Sequence, residues 1–203
     1  MNVLLSTTYF GPVQWYQKIH RADEIWIEQC ETFQKQTYRN RCLIATTQGV
    51  QALTVPVERP SAPHASRSTI KDVRISDHGD WRRLHWNALQ SAYGESPFFE
   101  YYEDDLRPFF ERRWTFLIDF NEDIRQKMCE LIDICPQVRY TDDYLKEAKD
   151  DYRDAIQPKH PAPDADFQPR PYYQVYRQKH GFLPNLSVLD LLLNMGPESI
   201  FWL

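Results

Sequence analysis

The segment Tyr38-Arg39-Asn40-Arg41 is a compact group of side chains suited to binding an anion. An arginine guanidinium presents paired N–H donors that match the planar oxygens of a carboxylate or phosphate. Arg39, Asn40 and Arg41 are therefore predicted to bind the anionic part of a substrate. The same segment could instead be a solvated, charged approach to the strand that follows.

His85 is the candidate for proton transfer, because an imidazole titrates near neutral pH. It shares the apolar stripe of a predicted helix with Trp81 and Leu89. It could act as a general base if a carboxylate oriented it. The alternative is a core histidine whose ring nitrogens are satisfied by neighbouring groups.

Tyr9 and Gln14 follow the first predicted strand, Val3-Leu4-Leu5. In α/β proteins, ligands bind beyond the carboxyl ends of the strands, and the start of a helix at that place can face an anion. Tyr9 and Gln14 are therefore predicted to bind substrate, whereas the neighbouring Trp15 is predicted to belong to the core.

The last part of the chain, from Phe182 to Pro197, is apolar and has well-marked borders. Ser187 and Asp190 stand three residues apart, and this spacing is typical of a helix-capping pair rather than of a nucleophile and its base. Asn185 is left free to bind a ligand. Because a chain end of this composition must dock into the body of the protein, the two ends of the polypeptide are predicted to meet.

Composition limits the class of protein. The 203 residues, 42% of them hydrophobic, suffice for one well-buried core, so a single domain 1–203 is predicted. The net charge of −5 argues against a general nucleic-acid binder, which needs a basic face. Without a membrane-spanning run or a signal peptide, the chain is expected to be cytoplasmic. Its cysteines and histidines lack the spacing of metal or redox sites, so neither a metal nor another cofactor is expected.

The first half of the chain predicts an α/β fold. Val3-Leu4-Leu5 and Ile25-Trp26-Ile27 are continuous apolar runs typical of buried strands. The helical spacing between them predicts a β-α-β unit with parallel strands. Residues 42–57 predict a hairpin around Gly49. The predicted fold is a parallel β-α-β N-terminal unit in a mixed sheet with a hairpin, packed by several helices.

The second half predicts mostly helices. Three are expected from Trp81 to Pro136, and Pro108 should bend or break the second of them. Residues 60–68 have the composition of a loop, and the alternation over residues 70–75 predicts a half-exposed strand. Residues 146–171 are rich in proline and are predicted to be irregular and to wrap the surface.

Several blocks of the chain resemble those of the WbqC-like family, in the same order. They are Tyr9-Phe10-Gly11-Pro12, Ala22-Asp23, Asn40-Arg41, Leu53-Thr54-Val55-Pro56-Val57, Trp81-Arg82 with His85, Tyr93 with Ser96-Pro97-Phe98-Phe99, Tyr173-Gln174, and Phe182 through Gly196-Pro197. The resemblance covers nearly the whole chain and implies a role in bacterial surface polysaccharide biosynthesis, in which members have been suspected of modifying sugars. It also places Gln174 among the expected substrate-binding residues.

Two departures from the family pattern stand out: the first weakens any metal or base role argued from the family's aspartates, and the second predicts a shortened member. The chain has Glu28-Gln29-Cys30-Glu31 where the family typically shows adjacent aspartates. Between Pro136 and Tyr172 it lacks a glycine-rich, tyrosine-containing block that longer relatives carry.

Three functions remain open at this point. The first is a transferase that modifies a sugar or sugar nucleotide, with Arg39 and Arg41 holding the anionic part and His85 assisting proton transfer. The second is a noncatalytic binding or assembly protein of the same pathway. The third is a nucleotide-binding domain, although the chain has no Walker loop and no G-x-G-x-x-G motif. The expected partner is a small-molecule sugar or sugar nucleotide.

Overall fold

The structure is a computed structural model that describes residues 2–58 and 68–203. Its strands are Asn2–Ser6 (β1), Glu24–Glu28 (β2), Arg41–Thr46 (β3), Gly49–Thr54 (β4) and Val138–Tyr140 (β5). Its helices are Val13–Arg21 (α1), Trp81–Tyr93 (α2), Phe99–Leu106 (α3), Pro108–Glu111 (α4), Leu117–Ile132 (α5), Arg177–His180 (α6) and Val188–Met195 (α7). Short 3-10 helices span Ile70–Asp72, His78–Asp80 and Gly196–Trp202. The predicted loop at 60–68 lies outside the described residues, apart from its last position.

A three-stranded parallel sheet in the order β1-β2-β5 forms the first layer. Helix α1 connects β1 to β2, and Leu4 pairs with Trp26 in the register between them. The strand β1 is buried on both faces, with Val3, Leu4 and Leu5 all 2% exposed or less. This arrangement confirms the α/β class and the parallel β-α-β unit, because a continuous apolar run is stable only in a strand covered on both sides.

The hairpin of β3 and β4 is a separate two-stranded antiparallel sheet, and not a part of one mixed sheet as expected. Its separation has a local cause. The backbone N–H of Ser187 donates to the carbonyl of Leu43 in β3, and Ser187 also pairs with Pro12 at the start of α1. The C-terminal segment therefore lies between the hairpin and the β-α-β unit.

The helices α2 to α5 follow the predicted pattern, including the break at Pro108 that divides α3 from α4. Residues 70–75 do not: they begin with a 3-10 helix and continue in isolated bridges, so the predicted strand is wrong. Ile70, Val73 and Ile75 are buried. An alternating strand would bury Val73 and Ile75 on one face, but Ile70 on the other. The burial of Ile70 and Val73, three positions apart, fits a 3-10 turn equally well.

The two ends of the chain meet, as the apolar C-terminal segment predicts. Val13 donates its backbone N–H to the carbonyl of Leu186 at 3.0 Å, and Val188 donates to the carbonyl of Gly11 at 2.8 Å. Helix α7 is buried over almost its whole length: its apolar side chains pack in the core, and the face that carries Asp190 and Asn194 is buried with hydrogen bonds. The ends are thus joined by backbone hydrogen bonds as well as by packing.

The proline-rich residues 146–171, all of them described, contain no helix or strand. They are nevertheless attached to the sheet. Leu4 donates to the carbonyl of Asp150 at 2.9 Å, and Tyr152 donates to the carbonyl of Leu4 at 3.0 Å, so a short stretch extends the parallel pairing beyond β1. We call residues 144–166, which cross the carboxyl ends of the strands, the strap.

Within residues 2–58 and 68–203, none of the helices combines the length and the apolar character needed to cross a bilayer. The longest, α5, has 16 residues.

Candidate functional site

A small cleft of about 10 Å³, with room for about one water molecule, lies beyond the carboxyl end of β1. The carboxyl ends of parallel strands meet at one edge of the sheet, and polar residues follow each strand at that edge. The strap closes the cleft from the other side. The polar and aromatic groups that line it come from both parts: Ser6, Thr8, Tyr38, Arg39, Tyr152 and Arg153.

Arg39 is buried at this edge and is held by the protein's own carboxylate. Its Nε and Nη2 donate to the two carboxylate oxygens of Glu31 at 2.7 and 2.6 Å. Its Nη2 also donates to the hydroxyl of Ser6 at 2.8 Å. Since a bidentate pair of this kind uses one edge of the guanidinium, Arg39 offers a ligand only its remaining N–H groups.

Arg41 points elsewhere, so the two arginines do not form the single clamp that their spacing suggested. It lies in β3 and its Nε donates to the hydroxyl of Thr54 at 3.2 Å on the surface of the hairpin. Asn40, between them, is buried and donates from Nδ2 to the carbonyl of Val55 at 2.8 Å. Asn40 is therefore better explained as an anchor for the chain at the end of β4 than as a residue that contacts a ligand.

Arg153, on the strap, is the second guanidinium of the cleft, and sequence reasoning missed it. Its Nε and Nη2 donate to the carboxylate of Asp151 at 2.6 to 3.1 Å. The hydrogen bonds that Arg153 donates to Asp151 are the main cause of the raised pKa of Arg153. Its Nη1 lies 3.8 Å from the carboxylate of Glu28. Arg153 therefore connects the strap to the end of β2.

Glu28 is completely buried at the end of β2 and was also not singled out as a site residue. Its carboxylate accepts from the hydroxyl of Thr141 and the backbone of Cys30, both at 2.8 Å, and from the backbone of Leu145 at 2.9 Å. Buried carboxylates persist only with such partners. Acidic residues directly after a predicted parallel strand were the signal that could have identified it.

The charges at this edge nearly cancel. The guanidinium groups of Arg39 and Arg153 contribute two positive charges. The carboxylates that contact them, those of Glu28, Glu31 and Asp151, contribute three negative charges. An incoming anion would therefore meet a surplus of one negative charge, whereas hydroxyl groups would find donors, acceptors and aromatic faces side by side.

Gln14 and Asn185 come together, but they bind each other. Asn185 accepts from the backbone N–H of Gln14 at 3.0 Å and donates from Nδ2 to the side-chain oxygen of Gln14 at 2.9 Å. Because the N–H of Val13 is bonded to Leu186, the first turn of α1 is capped by the C-terminal segment. The start of α1 is thus not open to a phosphate.

Gln14 also holds the strap in place. Its Nε2 donates to Asp164 at 2.8 Å, and the ammonium of Lys18 lies 2.9 Å from the other oxygen of the same carboxylate. Burial alone would raise the pKa of Asp164, but the hydrogen bonds from Lys18 and Gln14 lower it overall. The strap is therefore fixed to α1 by an ion pair whose two side chains are each only 4% exposed.

Tyr9 and His85 form a pair in the core, away from the cleft. The Tyr9 hydroxyl lies 2.8 Å from Nδ1 of His85, and the backbone of Thr54 also bonds the imidazole. Burial lowers the pKa of His85 to about 4 and raises that of Tyr9. Among the described residues, the partners of the imidazole are Tyr9 and the Thr54 backbone, and not a carboxylate. These two groups orient the ring.

Gln174 belongs to a buried network centred on Asp190. Asp190 is inaccessible to solvent and accepts from Tyr93 at 2.9 Å, from Tyr172 at 2.7 Å and from Gln174 at 2.8 Å. Burial raises the pKa of Asp190. Ser187 is the helix cap, as expected, and accepts from the backbone of Leu189. The predicted capping role of Asp190 is wrong, because the N–H of Ser187 donates to Leu43 instead. The Asp190 carboxylate joins α2, α7 and the segment before α6.

Within residues 2–58 and 68–203, no three His, Cys, Asp or Glu side chains come together as a possible set of metal ligands.

Comparison with known proteins agrees with the resemblance in the sequence. Residues 7–160, more than half of the chain, match the sequence model of the WbqC-like protein family. The chain is also similar to the uncharacterized protein Rv1507c of Mycobacterium tuberculosis, at 29% identity over 221 residues, which covers 97% of this chain and 94% of that protein. No solved structure matches. The chain therefore belongs to the WbqC-like protein family.

Proposed function

We propose that the protein binds a sugar or the sugar moiety of a sugar nucleotide in the cleft at the carboxyl edge of the parallel sheet, and that it acts as a transferase in surface polysaccharide biosynthesis. One observation carries the proposal: two guanidinium groups and three carboxylates converge at this edge beside tyrosine rings. Sugars present hydroxyl groups that both donate and accept, and apolar ring faces that pack on aromatic side chains.

Different residues of the cleft bind different groups of the sugar. The N–H groups that Arg39 and Arg153 do not use on their partners donate to ligand hydroxyls. The carboxylate of Asp151, whose side chain is 27% exposed, accepts from them. The ring of Tyr152 lines the same cleft and provides the apolar face. These groups bind the sugar. His85 transfers a proton only when its hydrogen bond with Tyr9 opens.

The strap must move for a ligand to enter. A cleft of about 10 Å³ holds no more than about one water molecule, whereas typical ligand sites have roughly 300 to 1,000 Å³. The strap has no helix or strand of its own. It is held by a short parallel pairing beside Leu4 and by the ion pair of Lys18 with Asp164. Leu145 and Arg153 also attach it to the carboxylate of Glu28. Irregular segments with few backbone bonds open at low free-energy cost. The strap therefore acts as the entrance to the site.

A noncatalytic binding or assembly protein is the second candidate. The observation in its favour is that the carboxylates of Glu28 and Glu31 are bonded to groups of the protein itself, which leaves neither of them poised as a general base. A nucleotide-binding domain has less support, because Asn185 and Leu186 cap the turn of α1 that a phosphate would need.

Thermal shift of the full chain with UDP-glucose, with UDP and with free glucose tests the proposal, since a ligand of the folded state raises its apparent stability. Arg153→Gln should reduce the shift produced by UDP-glucose and glucose. Arg139→Gln is the matched control, because Arg139 lies exposed on β5 and pairs with Glu24. Equal shifts in both variants would exclude the cleft as the binding site.

Turnover then separates the first two candidates. A transferase releases UDP from UDP-glucose when an acceptor is present, and a binding protein does not. Binding without turnover against a range of hydroxylated acceptors would favour the assembly role.

A further inference from the structure

The hydroxyl of Thr8 is a buried polar group without a partner. Thr8 lies two residues beyond β1 and is 5% exposed. Its Oγ1 is inaccessible and makes no hydrogen bond with any residue that the structure describes. A buried hydroxyl that has lost its water and gained nothing in return destabilises the folded state, and most buried polar groups in proteins are therefore paired.

The backbone around Thr8 holds this hydroxyl in place. The N–H of Tyr9 donates to the carbonyl of Tyr38 at 2.9 Å, which fixes the chain directly after Thr8. On the other side, a Cβ on Gly11 would stand 2.4 Å from Oγ1 of Thr8 and 2.9 Å from its Cβ. The absence of a side chain at Gly11 thus makes room for the side chain of Thr8, and no larger residue fits there without displacing it.

Thr8 lines the same cleft as Arg39 and Arg153. Valine has nearly the same shape as threonine and would fill the site without an unpaired hydroxyl, so packing alone does not require the polar group. A hydroxyl both donates and accepts, which matches the hydroxyl groups of a sugar and does not require a charged partner.

We infer that Thr8 is a specificity-determining residue of the cleft, whose hydroxyl completes its hydrogen bonding with a hydroxyl of the bound sugar. This inference rests on the proposed function of the cleft. The free protein keeps an unsatisfied group at the site, and the ligand satisfies it on binding. Sites built to bond a substrate hydroxyl discriminate strongly against analogues that lack it, because the buried group is then left unpaired.

The test compares Thr8→Val with Thr8→Ser in the full chain, using UDP-glucose as the probe in isothermal titration and urea denaturation of the free protein. Thr8→Val should bind UDP-glucose about tenfold more weakly, as expected for the loss of one hydrogen bond. Thr8→Ser keeps the hydroxyl and should stay within about threefold of the wild type. The free Thr8→Val protein should have a urea midpoint equal to or above that of the wild type.

Thr37→Val is the matched control, because Thr37 is 6% exposed and its hydroxyl donates to the carbonyl of Gln34 at 2.8 Å. This variant loses a satisfied hydrogen bond and should lower the urea midpoint without changing affinity for the probe.

The outcomes distinguish this inference from the proposed function. If the wild type binds UDP-glucose and Thr8→Val binds it equally well, the inference about Thr8 is wrong and the function stands. If Thr8→Val lowers the urea midpoint as Thr37→Val does, the hydroxyl has a structural partner such as a bound water, and the inference is again wrong. If the wild type binds none of UDP-glucose, UDP and glucose, both the proposed function and the inference about Thr8 are wrong.

Discussion

Two clusters of buried polar side chains, the Asp190 network and the cleft at the carboxyl edge of the sheet, are built in opposite ways. Asp190 is surrounded by neutral donors, from two tyrosines and a glutamine, and makes a hydrogen bond with each of them. The cleft instead combines charged groups of both signs with a hydroxyl that has no partner.

This difference separates the structural role of the Asp190 network from the proposed binding role of the cleft. A buried polar network is rigid and specific when every group in it is satisfied. The Asp190 network meets this condition for its carboxylate and ties together segments that are distant in the sequence. The cleft leaves hydrogen-bonding capacity unused, at Thr8 and at the free edges of its arginines, and the proposed ligand would use it.

The largest expected effect is the loss of the Asp190 carboxylate. Asp190→Ala would leave the donors of Tyr93, Tyr172 and Gln174 without their acceptor in the core. Each unpaired buried donor costs about 1 to 3 kcal/mol, so the free energy of unfolding should fall by about 5 kcal/mol. Urea denaturation measures this change.

Asp104→Ala is the control for this prediction, because Asp104 is exposed on another helix, α3. Its effect should stay within about 0.5 kcal/mol. A loss below about 1 kcal/mol for Asp190→Ala would contradict the structural role of the network.

The next effect concerns the charged pair of the cleft. Arg39→Ala leaves Glu31 buried without its partner and should cost about 4 kcal/mol, as expected when one member of a buried ion pair is removed. In Arg39→Ala with Glu31→Gln, no unpaired charge remains, and at least about 2 kcal/mol should be regained. If the single and double variants unfold at the same urea concentration, the loss of stability does not come from the unpaired charge of Glu31.

The third prediction is a pH dependence that comes from the core. The pKa of folded His85 is about 4, below its usual 6.5, so the unfolded chain binds more protons as the pH falls. The stability due to the neutral imidazole is complete above about pH 6.5 and is lost toward pH 4. This amounts to about 3 kcal/mol at 1.36 kcal/mol for each pKa unit.

His85→Gln removes the titration and retains groups that can bond Tyr9. The stability difference between wild type and variant, measured by urea denaturation at several pH values, should therefore shrink by about 3 kcal/mol from pH 7 to pH 4. A constant difference over this range would mean that His85 is not held neutral in the core.

The smallest expected effect is on the opening of the strap. Asp164→Asn removes the negative charge that pairs with Lys18, and trypsin should then cleave within residues 144–166 about tenfold faster, which corresponds to roughly 1.4 kcal/mol. Asp154→Asn is the control, because Asp154 is an exposed position on the same strap. Equal cleavage rates in the two variants would show that the ion pair does not hold the strap.

Local sequence patterns predicted the fold well because short-range rules govern it. The apolar runs around Leu4 and Trp26 form the predicted parallel strands, although Trp26 itself is only partly buried, and the proline at position 108 divides two helices as expected. Residues 70–75 failed because the burial of Ile70 and Val73 suits a 3-10 turn as well as a strand.

The candidate site was harder to predict because its partners are far apart in the sequence. The sequence indicated the carboxyl edge of the sheet and singled out Arg39, but no local pattern reveals that Glu31 pairs with its guanidinium. Arg153 was missed because it lies in a proline-rich segment whose composition is that of a linker. Asp190 looked like a capping residue since its partners Tyr93 and Tyr172 are 97 and 18 positions away.

Hydrogen–deuterium exchange of the full chain with and without UDP-glucose tests most directly whether the ligand occupies the cleft rather than another part of the molecule. Binding should slow exchange at residues 6–9, 28–31 and 150–156, while the segments around Tyr172 and Asp190 keep the exchange rates of the free protein. Slower exchange confined to regions outside the carboxyl edge of the sheet would contradict the account.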